Sequence, residues 1–344
     1  MRATKCSQTK PIGNQQDTGE ISKLLLGLRT VACTEELAQL HTLCGGLLGA
    51  VGFQGTQPVT LRLSHLKFLR PGQYYASEKT DGARYMLLIV PGLGSFAVDR
   101  RFTFKQLHNR EEIVACGTAL LDGELVQSTT DGHVQPRFLV HDACAADGKV
   151  VTPNGLHKRL GAARKVLAEL SGSGCTSIPS LSFELKDFFD LSGLPPAMLA
   201  ATGDYNDTLR GSVHRTDGVI FTPIKEKYVL GVNKRMYKWK WAPTLDILVE
   251  RAQTNSPPSF AAVGQDGAQR RRVSNLVLTL SPMLDHACKE GLVVECSYAM
   301  DTEQWVAVRL RSDKSKPNSM HTIEAVVQAV NDGITSSMLV EHCK

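Results

Sequence analysis

The residues best suited to chemistry lie in Glu78-Lys79-Thr80-Asp81-Gly82-Ala83-Arg84, with strand-like sequence on both sides. A lysine amine that has lost its proton is a nucleophile, and covalent catalysis through it divides a difficult transfer into two easier steps. Standing alone, a lysine before an Asp-Gly turn is more commonly a solvated side chain beside a tight turn. The weight comes from six further segments downstream, in one fixed order. Val98-Asp99-Arg100 is succeeded by Leu121–Val126 (LDGELV), Phe138–Asp142 (FLVHD), Thr216–Phe221 (TDGVIF), Tyr237–Trp241 (YKWKW) and Arg309–Asn318 (RLRSDKSKPN). Strict alternation in YKWKW puts Lys238 and Lys240 on one strand face. Fixed cations in that arrangement are suited to charge that develops in a transition state.

These segments need elements to hold them. The chain has 344 residues, about two domains at ~150 residues each. Residues 1–20 are polar and read as a flexible tail without the apolar region of a secretory signal. From Ile21 to Leu48 the apolar spacing fits a broken helix ending at Gly45-Gly46. Short β-type runs follow at Tyr85–Val90, Gly94–Val98, Leu120–Val126 and Arg137–Val140. Leu156, Leu160, Ala163, Val166, Leu167 and Leu170 make a helical stripe, with Lys158, Arg159, Arg164 and Lys165 off that face. Strand texture returns at Leu181–Phe189, Asp217–Phe221 and Met236–Trp241. A first domain over 21–241 is thus expected.

A second unit starts near Ala242. Leu245–Val249, Leu276–Leu280, Leu292–Cys296 and Trp305–Leu310 are its strand candidates, and Asn255–Arg272 reads as a turn-rich, mobile hairpin tip. Short strands over 242–320 suit a small barrel such as an OB-fold. The tail 321–344 contains a helical run at Thr322–Val330. A hydrophobic content of 42% with 21% charged residues excludes wholesale disorder. No apolar run approaches the ~18 residues of a membrane span, so no membrane association is expected. Nine cysteines, scattered and without a CxxC pair, argue against a disulfide framework and for a reducing compartment. A net charge of +5 does not by itself imply nucleic acid. No GxxxxGK[ST] loop is present, so phosphates are not held by a P-loop.

The motif series from about residue 75 to 318 resembles the covalent nucleotidyltransferases, namely mRNA capping guanylyltransferases and ATP-dependent DNA and RNA ligases. KTDGxR at the nucleophile, the Asp-Gly-Glu-Leu-Val strand, and RxDKxxPN after Trp305 are similar to the capping branch in particular. The resemblance implies an α+β nucleotidyltransferase domain with antiparallel sheets, followed by an OB-fold β-barrel. It implies that Lys79 attacks the α-phosphate of GTP, expels pyrophosphate and leaves a lysyl-N-GMP, which is passed to 5′-diphosphate RNA. Attack needs a free lone pair, and lowering a lysine pKa from ~10.4 to near 7 corresponds to about 4.6 kcal/mol. Lys238, Lys240 and a divalent ion in a dry cleft are expected to supply that.

The resemblance also assigns the remaining groups. Arg84 and Arg100, the latter supported by Asp99, would meet ribose or phosphate. Glu124 and Asp217 would hold ribose hydroxyls and Mg²⁺ or Mn²⁺, hard cations that keep much of their hydration. Asp246 matches a family position after the paired lysines. Arg311 and Lys314, with Asp313 between them, would form a mobile clamp on the β- and γ-phosphates. The family sandwiches the purine between an aromatic ring and an aliphatic side chain; here these positions hold His141 and Ile220. Imidazole offers less apolar area than phenyl and titrates near pH 6.5 when unperturbed. Lys186 is the candidate donor to guanine O6. The basic cluster from Lys225 to Lys240 suggests salt-sensitive binding of RNA phosphates. No HCxxxxxR phosphatase loop or methyltransferase glycine loop is present, so a separate RNA triphosphatase and cap methyltransferase are expected as partners. Nuclear residence follows only from the capping reading. An ATP-dependent polynucleotide ligase and a catalytically silent 5′-end-binding protein are the alternatives.

Overall fold

The computed structural model describes residues 28–108, 117–172, 181–194, 198, 204–207, 212–251, 260–280, 284, 291–299, 301–312 and 314–343. The tail expected over 1–20 and Asp313 lie outside the described residues. The chain divides into two compact units: Met1–Val59 with Arg70–Met236, and Thr60–Leu69 with Tyr237–Lys344.

In the first unit, thirteen strands form one branched sheet system. They are β1 (Gln57–Thr60), β2 (Tyr74–Thr80), β3 (Ala83–Val90), β4 (Gly94–Val98), β5 (Phe104–His108), β6 (Ala119–Thr130), β7 (His133–Ala146), β8 (Lys149–Val150), β9 (Ser182–Leu185), β10 (Phe189–Asp190), β11 (Asp204–Asp207), β12 (Ser212–Pro223) and β13 (Val232–Lys240), of which β1 and β13 continue into the second unit. The main path runs β1-β13-β12-β6-β3-β4-β5, and β2 branches from it by pairing with β12. The pairs β2–β10, β2–β12, β3–β4, β3–β6, β4–β5, β6–β7, β6–β12, β7–β8 and β11–β12 are antiparallel, whereas β7 and β9 run parallel. Helix α1 (Thr34–Leu48) covers one face and helix α2 (Leu156–Gly172) the other. Because both faces are covered, β3 needs apolar side chains on both. Met86 and Leu88 pack with Leu40, Cys44 and Leu48 of α1. Leu87 and Ile89 pack with Ala163, Val166, Leu167 and Leu170 of α2. That is the physical origin of the unbroken YMLLIV run.

Three expectations need adjustment. Helix α1 continues through Gly45-Gly46 and ends at Gly49, whose φ of +73° closes the helix with its N–H on Gly45 O at 2.8 Å. Burying Leu48, 3% exposed, outweighs the helix cost of two glycines. The run Leu181–Phe189 is two strands, because the chain leaves β7 after Leu185 and joins β2 at Phe189. Arg159 is not on the solvent face of α2. It is buried and grips Asp142 with Nε and Nη2 at 2.6 and 2.9 Å.

The second unit is a closed barrel of β14 (Thr244–Arg251), β15 (Phe260–Asp266), β16 (Gln269–Leu280), β17 (Val293–Ala299) and β18 (Gln304–Leu310), in the order β14-β15-β16-β18-β17. The pairing of β16 with β18 is parallel and the others are antiparallel, a five-stranded arrangement that is an OB-fold. Leu245, Ile247, Val249, Val294, Cys296 and Trp305 fill it, and α3 (Met320–Asp332) adds Ile323 and Val326. Ser319 caps α3 by accepting from Thr322 N at 3.2 Å. A last helix, α4, spans Ser336–Cys343.

The expected hairpin tip 255–272 is ordered ladder from Phe260 onward, with Gln265 opposite Arg270 and a turn at Gly267 (φ +57°); residues 255–259 lie outside the described ones. From Asp266 to Arg272 this hairpin is solvent-exposed, so it needs no apolar alternation and carried no strand signal. The segment Thr60–Leu69 joins this unit through Asp332, which accepts from Arg62 Nε at 2.7 Å and Leu63 N at 2.8 Å.

Gly123 in β6 gives a direct test of the sheet packing. A methyl group there would sit 2.4 Å from Phe138 Cε1 and 2.9 Å from the Leu139 carbonyl oxygen. Gly123→Ala is expected to cost about 1–3 kcal/mol, read as a fall in melting temperature of about 2–4 °C per kcal/mol.

Candidate functional site

The nucleophile candidate sits at an irregularity in the ladder. Strands β2 and β12 pair with Val219 opposite Glu78 and Gly218 opposite Lys79, and then the register shifts so that Thr216 faces Thr80. Asp217 is the extra residue of this bulge, a device that re-aims a side chain. Its Oδ1 lies 2.5 Å from Lys79 Nζ, and both side chains keep partial solvent access. Burial works to lower the Lys79 pKa, but Asp217 and Glu124, with a smaller part from Asp81, outweigh it and hold the amine above its ordinary value. The ammonium is thus favoured in the fold. This ion pair stabilises the fold below the ordinary lysine pKa and is lost only as pH rises through the raised one. The depressed pKa expected from the sequence is not a property of the protein as folded, because Asp217 is the group nearest the amine.

The loop after Lys79 is locked from two sides. Glu124 accepts from the Thr80 hydroxyl and, at 3.3 Å, from Gly82 N. Only glycine fits at 82, since a Cβ would meet the Leu125 carbonyl oxygen at 2.5 Å. Lys186, 6% exposed, donates to Thr80 Oγ1 at 2.8 Å and to Glu78 O at 3.1 Å. Its ammonium is within 3.8 Å of Glu124 Oε2. Lys186 therefore supports the strand of the nucleophile, a role the sequence reading did not foresee.

Arg84 departs from its expected place among ribose or phosphate contacts. It grips the fully buried Asp122 through Nε at 2.9 Å and through Nη2, and donates to Thr56 O from Nη1 at 2.5 Å. Tyr228 also donates to Asp122, at 2.5 Å. His141 Nε2 lies 3.5 Å from the same carboxylate. Burial, with Arg84 and Lys186 adding to it and Asp122 opposing, pushes the His141 pKa down to about 4. Its imidazole is neutral at physiological pH, so the titration near pH 6.5 expected for this position is corrected. Burial would raise the Asp122 pKa, but Arg84 and His141 more than reverse it and keep the carboxyl ionised. Asp122 stood in the LDGELV segment without an assigned role, and Tyr228 was not singled out in the sequence. The signal for Asp122 was present, because residues 122 and 124 share one face of β6.

Asp99 organises the turn between β4 and β5: its Oδ1 accepts from Arg101 N at 2.8 Å and Thr103 N at 2.9 Å. Arg100 stands exposed in that turn. Ile220 is half-buried between the fully buried Val219 and Phe221, opposite Ser77.

In the second unit, Tyr237 and Trp239 are buried, while Lys238 and Lys240 are half-buried on the opposite face of β13. Trp239 Nε1 donates to Ile334 O at 2.9 Å, and Lys240 Nζ to Thr244 Oγ1 at 3.2 Å. Asp246, 7% exposed, accepts from Arg311 Nη1 at 2.8 Å and from Lys314 Nζ. Its backbone is fixed by Asn318, whose Oδ1 accepts from Asp246 N at 2.8 Å. The motif Arg311–Asn318 is thus tethered to β14 by one carboxylate.

No group of three or more His, Cys, Asp or Glu able to hold a metal occurs among the described residues. Glu124 and Asp217, both acting electrostatically on Lys79, are a two-carboxylate set. That set fits a hydrated divalent cation completed by substrate phosphates.

Two family models match the chain: mRNA capping enzyme, catalytic domain, over residues 24–242, and mRNA capping enzyme, C-terminal domain, over residues 237–340. An "mRNA-capping enzyme subunit alpha" of Neurospora crassa is 28% identical, the match covering 85% of this chain and 84% of that protein. An "mRNA-capping enzyme" of Mus musculus is 26% identical over 92% of this chain but only 54% of its own length. The chain therefore spans about half of that animal relative and most of the fungal one. Among solved structures, mycobacterial DNA ligase D complexed with ATP and MES shares 16% identity, with a TM-score of 0.44, over 76% of this chain and 95% of its own.

Two outcomes are expected from the electrostatics. Replacing Asp217 by Asn removes the carboxylate that acts most strongly to raise the Lys79 pKa, so the Lys79 titration moves to lower pH, observable by NMR of the ¹³C-methylated amine. An unmoved titration would show that Asp217 does not control the amine. Because His141 is neutral above about pH 5, nucleotide affinity should be the same in wild type and His141→Phe across pH 5.5–8 in its pH dependence; a wild-type inflection near pH 6.5 that the variant lacks would contradict the depressed pKa.

Proposed function

The chain belongs to the mRNA capping enzyme family, and on that premise we infer that it is a GTP:mRNA guanylyltransferase acting through a covalent lysyl-N-GMP. The family acts on RNA 5′ ends and uses a nucleotide with a divalent cation. The finer assignment to this chain is GTP as donor, 5′-diphosphate RNA as acceptor, and Mg²⁺ or Mn²⁺ as the cation. The observation that carries the reading is the Lys79 amine, 2.5 Å from Asp217 and under the influence of Glu124. A merely solvated lysine beside a turn would have neither.

In this reading Lys79 Nζ, its lone pair freed by loss of one ammonium proton, bonds to the α-phosphorus as the bond to the bridging oxygen of pyrophosphate breaks; a second N–H proton then leaves to water, and the first must leave before attack. Asp217, which holds that proton in the free protein, is the group best placed to accept it. Glu124 keeps Thr80 and Gly82 in position so that the attacking strand does not move. Asp217 and Glu124 would hold a divalent cation, which when bound would supply positive charge to the phosphates. Lys238 and Lys240 stabilise charge on the α-phosphate, and Arg311 and Lys314, with Asp313, orient the pyrophosphate leaving group. For that, both cations exchange Asp246 for phosphate oxygens, which makes Asp246 the counterion of the unliganded clamp. Arg100 with Asp99 serves the ribose. Ile220 and a neutral His141 flank the purine, and Lys186, already beside Thr80, reads guanine O6. In the second step the RNA diphosphate takes the GMP from Lys79. A separate RNA triphosphatase and cap methyltransferase act before and after, in the nucleus.

Incubation with labelled GTP or ATP and a divalent cation tests the reading. A GMP adduct is expected with wild type, and none with Lys79→Arg, because arginine stays protonated and cannot attack. An AMP adduct alone would identify a ligase, and absence of any adduct a silent binding protein.

A further inference from the structure

One supported loop of the first unit carries four exposed basic side chains. Between residues 224 and 235, four basic side chains face one acidic one, in a chain whose net charge is +5. Lys225, Lys227, Lys234 and Arg235 are all exposed. The single acid, Glu226, is occupied, since it accepts from Asn233 Nδ2 at 3.2 Å and lies 3.9 Å from Arg235. The start of helix α2 packs against the same loop: Leu156 N donates to Ile224 O at 2.7 Å, and a Cβ on Gly155 would be 3.4 Å from Lys225 Cα. Lys158, in the first turn of α2, is exposed as well. Among the described residues no carboxylate lies within ion-pair distance of Lys158, Lys225, Lys227 or Lys234.

This loop is not a loose surface excursion. Tyr228, between Lys225 and Lys227 on one side and Lys234 and Arg235 on the other, is 5% exposed. Its N–H donates to Thr152 O at 2.8 Å and its hydroxyl to Asp122 at 2.5 Å. Arg159 fastens the loop from below, donating to Glu226 O at 2.7 Å. The lysines are therefore presented from a backbone braced on the same carboxylate that grips Arg84 and neighbours His141. Lysine ammonium groups on long flexible stems, without a carboxylate partner, suit phosphates read as point charges, without the planar fork that singles out one oxyanion geometry.

We propose that Lys158, Lys225, Lys227 and Lys234 form a docking track for the phosphodiester backbone of the acceptor RNA, beyond its reacting 5′ end. This rests on the guanylyltransferase reading for the identity of the acceptor, but not for the binding itself. The surface binds RNA without regard to base sequence, and its contribution is electrostatic. Each phosphate contact removed lowers the slope of log K against log salt by about 0.7 for single-stranded nucleic acid.

The test compares wild type with a Lys225→Gln, Lys227→Gln, Lys234→Gln triple variant, whose substitutions are exposed and whose melting temperature is checked against wild type. Binding of a fluorescent twenty-nucleotide RNA is measured across a salt series. The variant should bind at least tenfold more weakly at low salt, with a slope reduced by about 2. Formation of the GMP adduct should be unchanged, as should transfer to a 5′-diphosphate dinucleotide, whereas KM for the long acceptor rises at constant kcat. An unchanged slope and affinity would overturn the proposal. So would a phosphopeptide that displaces RNA from wild type and binds the variant poorly, because the surface would then belong to an acidic protein partner. Absence of any adduct in wild type counts against the guanylyltransferase reading alone, since the salt series reads the track without catalysis.

Discussion

The first unit depends on how an ammonium group is kept inside a sheet without being neutralised. Lys79 is largely removed from water, which favours the neutral amine, and Asp217, Glu124 and Asp81 together reverse that preference. The geometry that allows this is a single extra residue in β12. Without the register shift, Asp217 would face away from Lys79 by the alternation of the strand. The bulge is thus the structural condition for the ion pair, and the ion pair sets the starting point of the chemistry: a charged amine held by a carboxylate that must let go of it.

The same economy recurs. Arg84 is gripped by Asp122, Arg159 by Asp142, and Arg311 and Lys314 share Asp246. Each of these carboxylates is buried, so its partner cation offsets a desolvation cost that neither charge could bear alone. The Arg84 and Arg159 guanidinium groups also satisfy backbone carbonyls of Thr56, Asn154 and Glu226. Arg311 and Lys314 both reach Asp246 from the loop that follows β18.

His141 illustrates how burial changes the meaning of a substitution. In sequence an imidazole introduces a titrating group; in the fold it is neutral, because burial and the nearby Arg84 and Lys186 outweigh Asp122. It therefore behaves as a polar aromatic ring fixed beside a carboxylate, nearer to the usual family residue in charge than its type suggests.

The sequence alone determined the order and identity of the chemical groups. Lys79, Asp217, Glu124, Lys238 and Lys240, Asp246, Arg311 and Lys314 could be read because each sits in a short local pattern, and local patterns survive in one dimension. It also determined the strands YMLLIV and LLDGELV, the apolar stripe of α2 and the β-rich second unit, for periodicity is a local property. What tertiary structure decided was the set of pairings between residues far apart in the chain: Arg84 with Asp122, Lys186 with Thr80, Asp246 with Arg311 and Lys314, and the strap 60–69 with Asp332. It placed Arg84 against Asp122 and Thr56, set Lys186 beside the nucleophile strand, and raised the Lys79 pKa that chemistry alone would place low. The reason is electrostatic. The state of a charge depends on its burial and on which opposite charge lies within a few ångströms, and neither quantity exists until strands distant in sequence are brought side by side.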